Sequence, residues 1–370
     1  MRTGLFYGWE LAQGERAVDV YDEVLEQVEL ADDIGFDSAL FGENHFAKSS
    51  ACASLVCTLG ALAGSTKAIR VGTGCKALPL DNPARIAEDY AVLDLQLNGR
   101  LIFGVSPGEQ EGQFQTFGVP FAERWERFVE TLDFVTKAWT NDAFCYGGRY
   151  FRFPKDIATD VAHPFRSEPY AKPFLLPWER GGKEVKYLSI VPKPVQIPHP
   201  LVWVGTNAPE AVQFAASKGY AILPGPQLSR SAVVQQYKDF TTALNEAGRE
   251  LSEVERPLIR DVYVANDREQ AIREVRKQLE NLYDIYFRDG RLSGGNGNEV
   301  APSDCGFEAL VKEHAIIGDP DQVFDRIKLY QQEAGINHII CRMKFPGLDH
   351  SKVLRSMRLF ASEIITRLRS

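Results

Sequence analysis

Several side chains with chemical potential follow short apolar runs in this sequence, at the point where each run ends. The tripeptide at 43–45, Glu-Asn-His, follows one run, Gly74 and Cys75 follow the next, and Ser106 ends a third. Carboxylate, imidazole, thiol and hydroxyl groups can transfer protons or act as nucleophiles. If the runs are parallel strands of one sheet, their carboxyl ends meet at one edge, where α/β folds bind ligands. The sequence therefore predicts a site beside Gly74, Cys75 and Ser106.

Two motifs at these run ends match known catalytic patterns, but the neighbouring residues disfavour both interpretations. GTGCKA at 72–77 matches the loose dinucleotide pattern GxGxxG/A, yet two prolines and about nine residues separate Gly74 from the next helix, so no helix N-terminus faces a pyrophosphate. GVSPG at 104–108 matches the nucleophile elbow GxSxG. The residue after Ser106 is Pro107, which has no N–H to serve as an oxyanion donor. A hydrolase is therefore the most remote of the functions considered.

The stretch that contains both motifs predicts a strand, a bend, a helix and a second strand. IRVGTG at 69–74 is short and β-branched, as a buried parallel strand would be, and the prolines at 79 and 83 bend the chain after it. A helical spacing of apolar residues follows and ends at Asn98 and Gly99. RLIFGVSPG at 100–108 is the second strand.

The same alternation continues along the chain and predicts the fold. Eight strands are expected, at about 5–8, 36–41, 69–74, 100–108, 201–206, 220–225, 257–265 and 338–343. Helical patterns lie between them, including 18–34, closed by Gly35, and a helix near 319 that Asp319 or Asp321 would cap. Eight βα units predict an α/β fold, a single (β/α)8 TIM barrel domain over 1–370 with excursions at about 145–200 and 288–316. A two-domain doubly wound protein is the alternative.

Composition and charge exclude several classes of protein. The 370 residues are 44% hydrophobic with a net charge of −8, which disfavours a nucleic-acid or anionic-membrane surface. No run of about eighteen apolar residues suggests a membrane span, and the first strand leaves no room for a signal peptide. The six cysteines show no CxxC pair and the six histidines no HxxxH, so we expect reduced thiols, no metal site and a cytoplasmic location.

The ordered set of motifs resembles the luciferase-like flavin-dependent monooxygenases, the bacterial luciferase family. The segments that carry the resemblance lie outside the two excursions: FGENHF, GTGCKALPLDNPARIAEDYAVLDLQLNGR, FGVSPG with FQTFG, ER-W-ER, PLVWVGTN and IIGDPDQVFDRI. Membership implies a barrel that binds reduced FMN (FMNH2), supplied by a separate NAD(P)H:flavin reductase. O2 is the implied co-substrate, and a flavin C4a-peroxide attacks an organic substrate. It also implies a homodimer packed through helices two and three.

The resemblance assigns roles to individual residues. It implies a non-prolyl cis peptide at Gly74-Cys75, under the flavin ring, where small residues would let a flat ring lie against the backbone. The implied catalytic residues follow strand two, with His45 exchanging a proton: His45, Asn44 and Glu43. The implied cofactor-binding residues lie at the other strand ends and at one helix start: Phe6, Gly74, Cys75, Ser106, Arg124, Gly205, Thr206 and Asn207.

Three functions remain open at this point. Asn44 stands where true luciferases carry a histidine base, which favours hydroxylation or Baeyer–Villiger oxidation of a small apolar or aromatic substrate over light emission. A relative that binds the deazaflavin F420 and transfers hydride without oxygen is the second function. A non-catalytic flavin-binding paralogue is the third.

Overall fold

The computed structural model describes residues 1–47, 50–142, 144–153, 189–205, 207–288, 292 and 306–369. The chain groups into two compact units. The first comprises Met1–Lys76, Gln96–Ser106 and Leu201–Ser370, and the second comprises Ala77–Leu95 and Pro107–Pro200. A single domain over 1–370 stays a prediction.

Strands and helices alternate through most of the chain. The strands are β1 Arg2–Tyr7, β2 Ser38–Phe41, β3 Arg70–Thr73, β4 Lys76–Ala77, β5 Leu101–Ser106, β6 Tyr146–Gly147, β7 Arg152–Phe153, β8 Leu201–Gly205, β9 Ala221–Leu223, β10 Pro257–Val264, β11 Ala315–Gly318 and β12 His338–Arg342. The helices are α1 Ala17–Ile34, α2 Leu55–Ser65, α3 Pro83–Gln96, α4 Glu111–Phe117, α5 Arg124–Thr140, α6 Pro209–Lys218, α7 Arg230–Glu246, α8 Arg268–Arg288, α9 Phe307–Glu313, α10 Pro320–Ala334, α11 His350–Phe360 and α12 Thr366–Arg369. In the described part of the chain, none of them is long and apolar enough to cross a membrane.

The first unit is built on one parallel sheet. Its strand order is β11-β10-β12-β1-β2-β3-β5-β8-β9, and within it the eight predicted strands keep the neighbours that a (β/α)8 barrel requires. The predicted TIM barrel fold is confirmed. Between β9 and β10 no hydrogen-bonded pairing is present among the described residues, so the ladder is open at that seam.

Three boundaries differ from the sequence prediction. The alanine- and leucine-rich composition of residues 50–63 predicts a helix over that whole segment, but the helix begins at Leu55. Ser50 bridges Glu10 and Ala51 donates its N–H to Trp9 O, which keeps the first residues extended. The predicted excursion at 288–316 contains α9 and the start of β11, which adds to the sheet beside β10. The predicted excursion at 145–200 contains the β6-β7 hairpin, and its residues 154–188 lie outside the described ranges.

A polar layer lies inside the first unit between the amino-terminal halves of the strands. His338 is fully buried, with its Nε2 3.0 Å from Ser38 Oγ and its ring edge-on to Trp203. Arg70 lies 3.4 Å from His338 Nδ1 and 3.1 Å from Glu255. Burial lowers the pKa of His338 well below its usual value, so the ring is neutral and the layer is a hydrogen-bonded part of the core.

The second unit has its own aromatic core. Phe134 of α5 packs edge-on against Phe144 and Phe153 of the hairpin region. Trp139 Nε1 donates to Ala87 O at 2.9 Å, which ties α5 to α3 within this unit. These ring contacts and the buried hydrogen bond hold α3, α5 and the hairpin region together.

Candidate functional site

Four strand-end positions in the first unit are more accessible than the strands that lead to them. Thr73, Val105 and Val204 are buried, whereas the next residues, Gly74 with Cys75, Ser106, and Gly205, are partly exposed. The peptide bond between Gly74 and Cys75 is cis, as the resemblance implies. Together these strand ends form a surface with little side-chain bulk, which we call the small-residue floor: Gly74, Cys75, Ser106 and Gly205.

Contacts within the floor explain why two of its members are glycine. A Cβ on Gly74 would lie 3.2 Å from Leu40 Cβ and 3.3 Å from Phe6 Cε2. A Cβ on Gly205 would overlap Cys75 Sγ. The structure therefore brings Phe6, Gly74, Cys75 and Gly205 together, while Ser106 lies one residue beyond the Val105–Val204 pair of β5 and β8.

A buried charged group lies at the end of β2. Lys76 Nζ is 2.6 Å from Glu43 Oε1, with side-chain exposures of 7% and 3%. His45 Nε2 lies 3.3 Å from the same oxygen, and its side chain is 11% exposed. We call these three residues the Glu43 cluster: Glu43, His45 and Lys76. The loop is also held by its backbone, since Asn44 N–H donates to Cys52 O at 2.9 Å.

The predicted phosphate site at the start of α6 is described only in part by the structure. Thr206 lies outside the described residues, and Asn207 is exposed two positions before α6. The first residue of α6 is Pro209, which has no N–H, and Ala211 N–H donates to Ala208 O at 3.1 Å. The helix start therefore offers fewer backbone donors than a standard first turn.

Arg124 begins α5 in the second unit. Its guanidinium lies 4.2 Å from the centre of the Phe121 ring and donates to Phe121 O at 3.3 Å. These contacts fix the side chain by a cation–π interaction within its own unit. Its predicted role toward a cofactor stays a prediction.

Sequence reasoning missed Lys76 and a second buried group on the last barrel strands. Arg342 Nε and Nη2 donate to the two oxygens of Asp261, at 2.5 and 2.8 Å, and both side chains are almost fully buried. Arg342 Nη1 also donates to Tyr286 OH and, at 3.2 Å, to Glu10 Oε1. A charged residue within an apolar run was the available signal at both places, in GTGCKALPL and in HIICRM.

These observations limit what the site can hold. A flat, mostly apolar ring fits the small-residue floor, because neighbouring backbone is accessible there and Phe6 supplies an aromatic side chain. Lys76 and Glu43 add opposite charges that compensate each other. Across the described ranges, no group of three or more His, Cys, Asp or Glu side chains is arranged to hold a metal ion.

Comparison with known proteins shows to which proteins this chain is related. The sequence profile described as luciferase-like monooxygenase matches residues 1–174 and 179–338. The oxygenase component of the flavin-dependent trigonelline monooxygenase of Acinetobacter baylyi is 25% identical over 90% of this chain and 86% of its own length. The F420-dependent glucose-6-phosphate dehydrogenase of Amycolatopsis mediterranei is 22% identical over 94% of this chain and 95% of its own.

A solved structure supports the same fold. The oxygenating constituent of 3,6-diketocamphane monooxygenase of Pseudomonas putida, a type II Baeyer–Villiger monooxygenase in complex with FMN, superposes with a TM-score of 0.80. It is 20% identical, and the match covers 99% of this chain and 98% of that one. Since the profile spans most of the sequence, the chain belongs to the luciferase-like monooxygenase family.

Proposed function

We propose that this protein is the oxygenase component of a two-component monooxygenase that uses FMNH2 and O2. The observation that carries the proposal is the accessible small-residue floor next to the Glu43 cluster, in a chain of this family. The substrate class is a small apolar or aromatic organic compound, oxidised by hydroxylation or by Baeyer–Villiger insertion.

The residues of the floor would hold the flavin ring. Gly74, Cys75 and Gly205 would lie against its face, Phe6 would pack at its side, and the Ser106 hydroxyl would bond a polar edge. Asn207 of the same unit is a proposed phosphate ligand, and the phosphate-binding roles that the resemblance implies for Thr206 and Arg124 stay predictions. When bound, reduced FMN would supply the electrons that activate O2 for transfer of one oxygen atom to the substrate.

His45 is the proposed proton-transfer residue. Its Nε2 lies 3.3 Å from Glu43 Oε1, which places the imidazole against this carboxylate. A ring nitrogen of His45 would take a proton from the substrate or return one to the product. Asn44 would position the same loop through its backbone bond to Cys52.

The proposal requires two protein partners. A separate NAD(P)H:flavin reductase would supply FMNH2, and a second copy of this chain would form a homodimer through α2 and α3. An apolar surface in the second unit supports the dimer. Ile197 is 93% exposed and Val191 70%, and Gln196 N–H bonds Asp94 of α3 at 2.9 Å, next to exposed Leu95. Packing against a second copy would remove these apolar groups from water.

Anaerobic titration tests the cofactor first. Purified protein is titrated with FMNH2 and, in parallel, with reduced F420, and binding is followed by absorbance and fluorescence. The FMNH2 complex is then mixed with oxygenated buffer and compared with free FMNH2. We expect tight FMNH2 binding and a spectral course that differs from that of free FMNH2. Binding of reduced F420 alone would contradict the proposal.

A hydride-transfer enzyme that uses F420 is the second candidate, favoured by the full-length similarity to an F420-dependent dehydrogenase. Turnover of a substrate with 18O2 separates the two, because a monooxygenase places one labelled atom in its product. Turnover in the absence of O2 would favour F420. Binding of FMNH2 without turnover of any compound in a panel of aromatic ketones and heteroaromatics would favour the non-catalytic paralogue.

A further inference from the structure

We propose that Lys76 is a positioning residue that pairs with the Glu43 carboxylate and thereby limits how strongly that carboxylate holds a proton on His45. The inference rests on the proposed function only in giving His45 a proton to transfer. It concerns the ammonium group that follows the Gly74-Cys75 pair, to which the sequence assigned no role.

The geometry makes one carboxylate oxygen the common partner of two side chains. Glu43 Oε1 lies 2.6 Å from Lys76 Nζ and 3.3 Å from His45 Nε2. The first distance is that of a strong charge-assisted contact, while the second is longer than the usual 2.7–2.9 Å or so of such bonds. The carboxylate is therefore bound mainly by the lysine, and the imidazole makes the weaker contact with it.

Because Lys76 is buried, its charge acts strongly on the groups beside it. Lys76 is 5% exposed as a residue, and an ammonium group is rarely placed at such a position unless a carboxylate pairs with it. The pair brings equal and opposite charges to His45. Without the lysine, the buried carboxylate would lose this counter-charge and would favour the protonated form of the imidazole more strongly.

The Cys52 thiol is a further titratable group beside this cluster. Burial raises its pKa, and the neighbouring Glu43 carboxylate acts in the same direction, so the thiol stays protonated near neutral pH. Its backbone carbonyl accepts the Asn44 N–H, which places Cys52 on the same loop. Glu43 and Lys76 are thus the two charged side chains of this cluster, and Cys52 adds no charge to it.

Histidine NMR of the flavin-free protein tests the inference directly. The ring nitrogens of 15N-histidine-labelled protein are titrated with pH in the wild type and in Lys76→Met, and His45 is assigned by its loss in His45→Gln. In Lys76→Met we expect the pKa of His45 to rise by about one unit or more, because the carboxylate loses its counter-charge.

Two further variants keep the test decisive even where Lys76→Met fails to fold. Glu43→Gln removes the carboxylate from beside the imidazole and the ammonium, and should lower the pKa of His45, the opposite sign. Lys76→Arg keeps the charge and should hold His45 near its wild-type value. Lys137→Met, which removes an exposed lysine of the second unit, is the matched control and should leave the titration unchanged.

The outcomes separate this inference from the proposed function. A His45 titration that is the same in wild type, Lys76→Met and Glu43→Gln overturns the inference, whatever the enzyme does. Shifts of the expected signs support it. If those shifts occur and His45→Gln still oxygenates substrate with full coupling, the inference stands and the catalytic role proposed for His45 fails. If His45 is required, the acidic limb of the kcat/KM profile should move upward in Lys76→Met by the shift measured for His45.

Discussion

Gly205 and Cys75 lie at the ends of two different barrel strands and touch so closely that position 205 has no space for a side chain. A Cβ built there overlaps Cys75 Sγ and lies 3.4 Å from Cys75 Cβ. The thiol is therefore the group that excludes a methyl group at 205. Because both residues belong to the small-residue floor, their contact should influence stability and flavin binding together.

Gly205→Ala should destabilise the protein by about 1–3 kcal/mol, the usual cost of forcing a methyl group into a packed site, and should weaken FMNH2 binding at least tenfold. Urea unfolding and anaerobic FMNH2 titration measure the two effects. Gly64→Ala is the matched control, because a Cβ on Gly64 in α2 meets nothing within 4 Å. There we expect no loss of either property.

The double variant Gly205→Ala/Cys75→Ala tests whether the Cys75 thiol causes the loss of stability in Gly205→Ala. Removing Sγ leaves a contact with Cβ at 3.4 Å, which is ordinary packing, so the double variant should recover most of the stability lost in Gly205→Ala. An undiminished loss in the double variant would mean that something other than the thiol requires glycine at 205.

The Arg342–Asp261 pair predicts a large stability effect at one position. Asp261→Ala would leave the guanidinium buried without its main counter-charge, and we expect a loss of about 3–5 kcal/mol in urea unfolding. Glu280→Ala breaks an exposed pair on α8, where Arg276 is 53% exposed, and should cost less than about 1 kcal/mol. Comparable losses in the two variants would show that Arg342 is compensated by other groups.

Local chemistry made parts of this fold predictable. Gly35 closes α1 with φ of 92°, and Asp319 caps α10 with a reciprocal bond pair to Gln322, both as expected from turn and cap preferences. The strand β11 was not predicted, because AIIG is only four residues long and runs directly into that cap. Its place in the sheet depends on pairing with β10, which local pattern does not encode.

The partners of the charged groups in the site could not be predicted from local sequence pattern either. Lys76 is a visible exception in an apolar run, but its partner Glu43 lies 33 residues away in sequence. Arg342 and Asp261 are 81 residues apart. A single sequence shows that a buried charge needs a partner and does not show which residue the fold brings to it. For this reason the strand ends could be predicted as the site, while the pairs that organise them could not.

The environment of His314 predicts how the stability of the folded protein depends on pH. Burial, aided by the charge of Arg260, lowers its pKa from 6.5 to about 4 in the folded protein. Below about pH 6.5 the unfolded chain therefore binds a proton that the folded one does not, so stability falls as the pH drops toward 4, by about 3 kcal/mol in total. His314→Gln should remove this share of the acid sensitivity between pH 6.5 and 4 in urea unfolding. An unchanged slope would assign the sensitivity to other groups, such as His338.

The apolar surface of the second unit predicts the effect of charge on assembly. Ile197 is 93% exposed and Leu95 44%, and a twofold interface would contain each residue twice. Ile197→Asp would place two carboxylates in that interface, so we expect its dissociation constant to rise by a factor of about 100 or more, because each charge loses hydration there. Sedimentation velocity at micromolar protein should then give a dimer for the wild type and a monomer for the variant. Gln115→Asp, on the exposed side of α4, adds the same charge elsewhere on the unit and should leave the dimer intact. A wild-type monomer, or a dimer that Ile197→Asp leaves unchanged, would place the interface elsewhere or remove it.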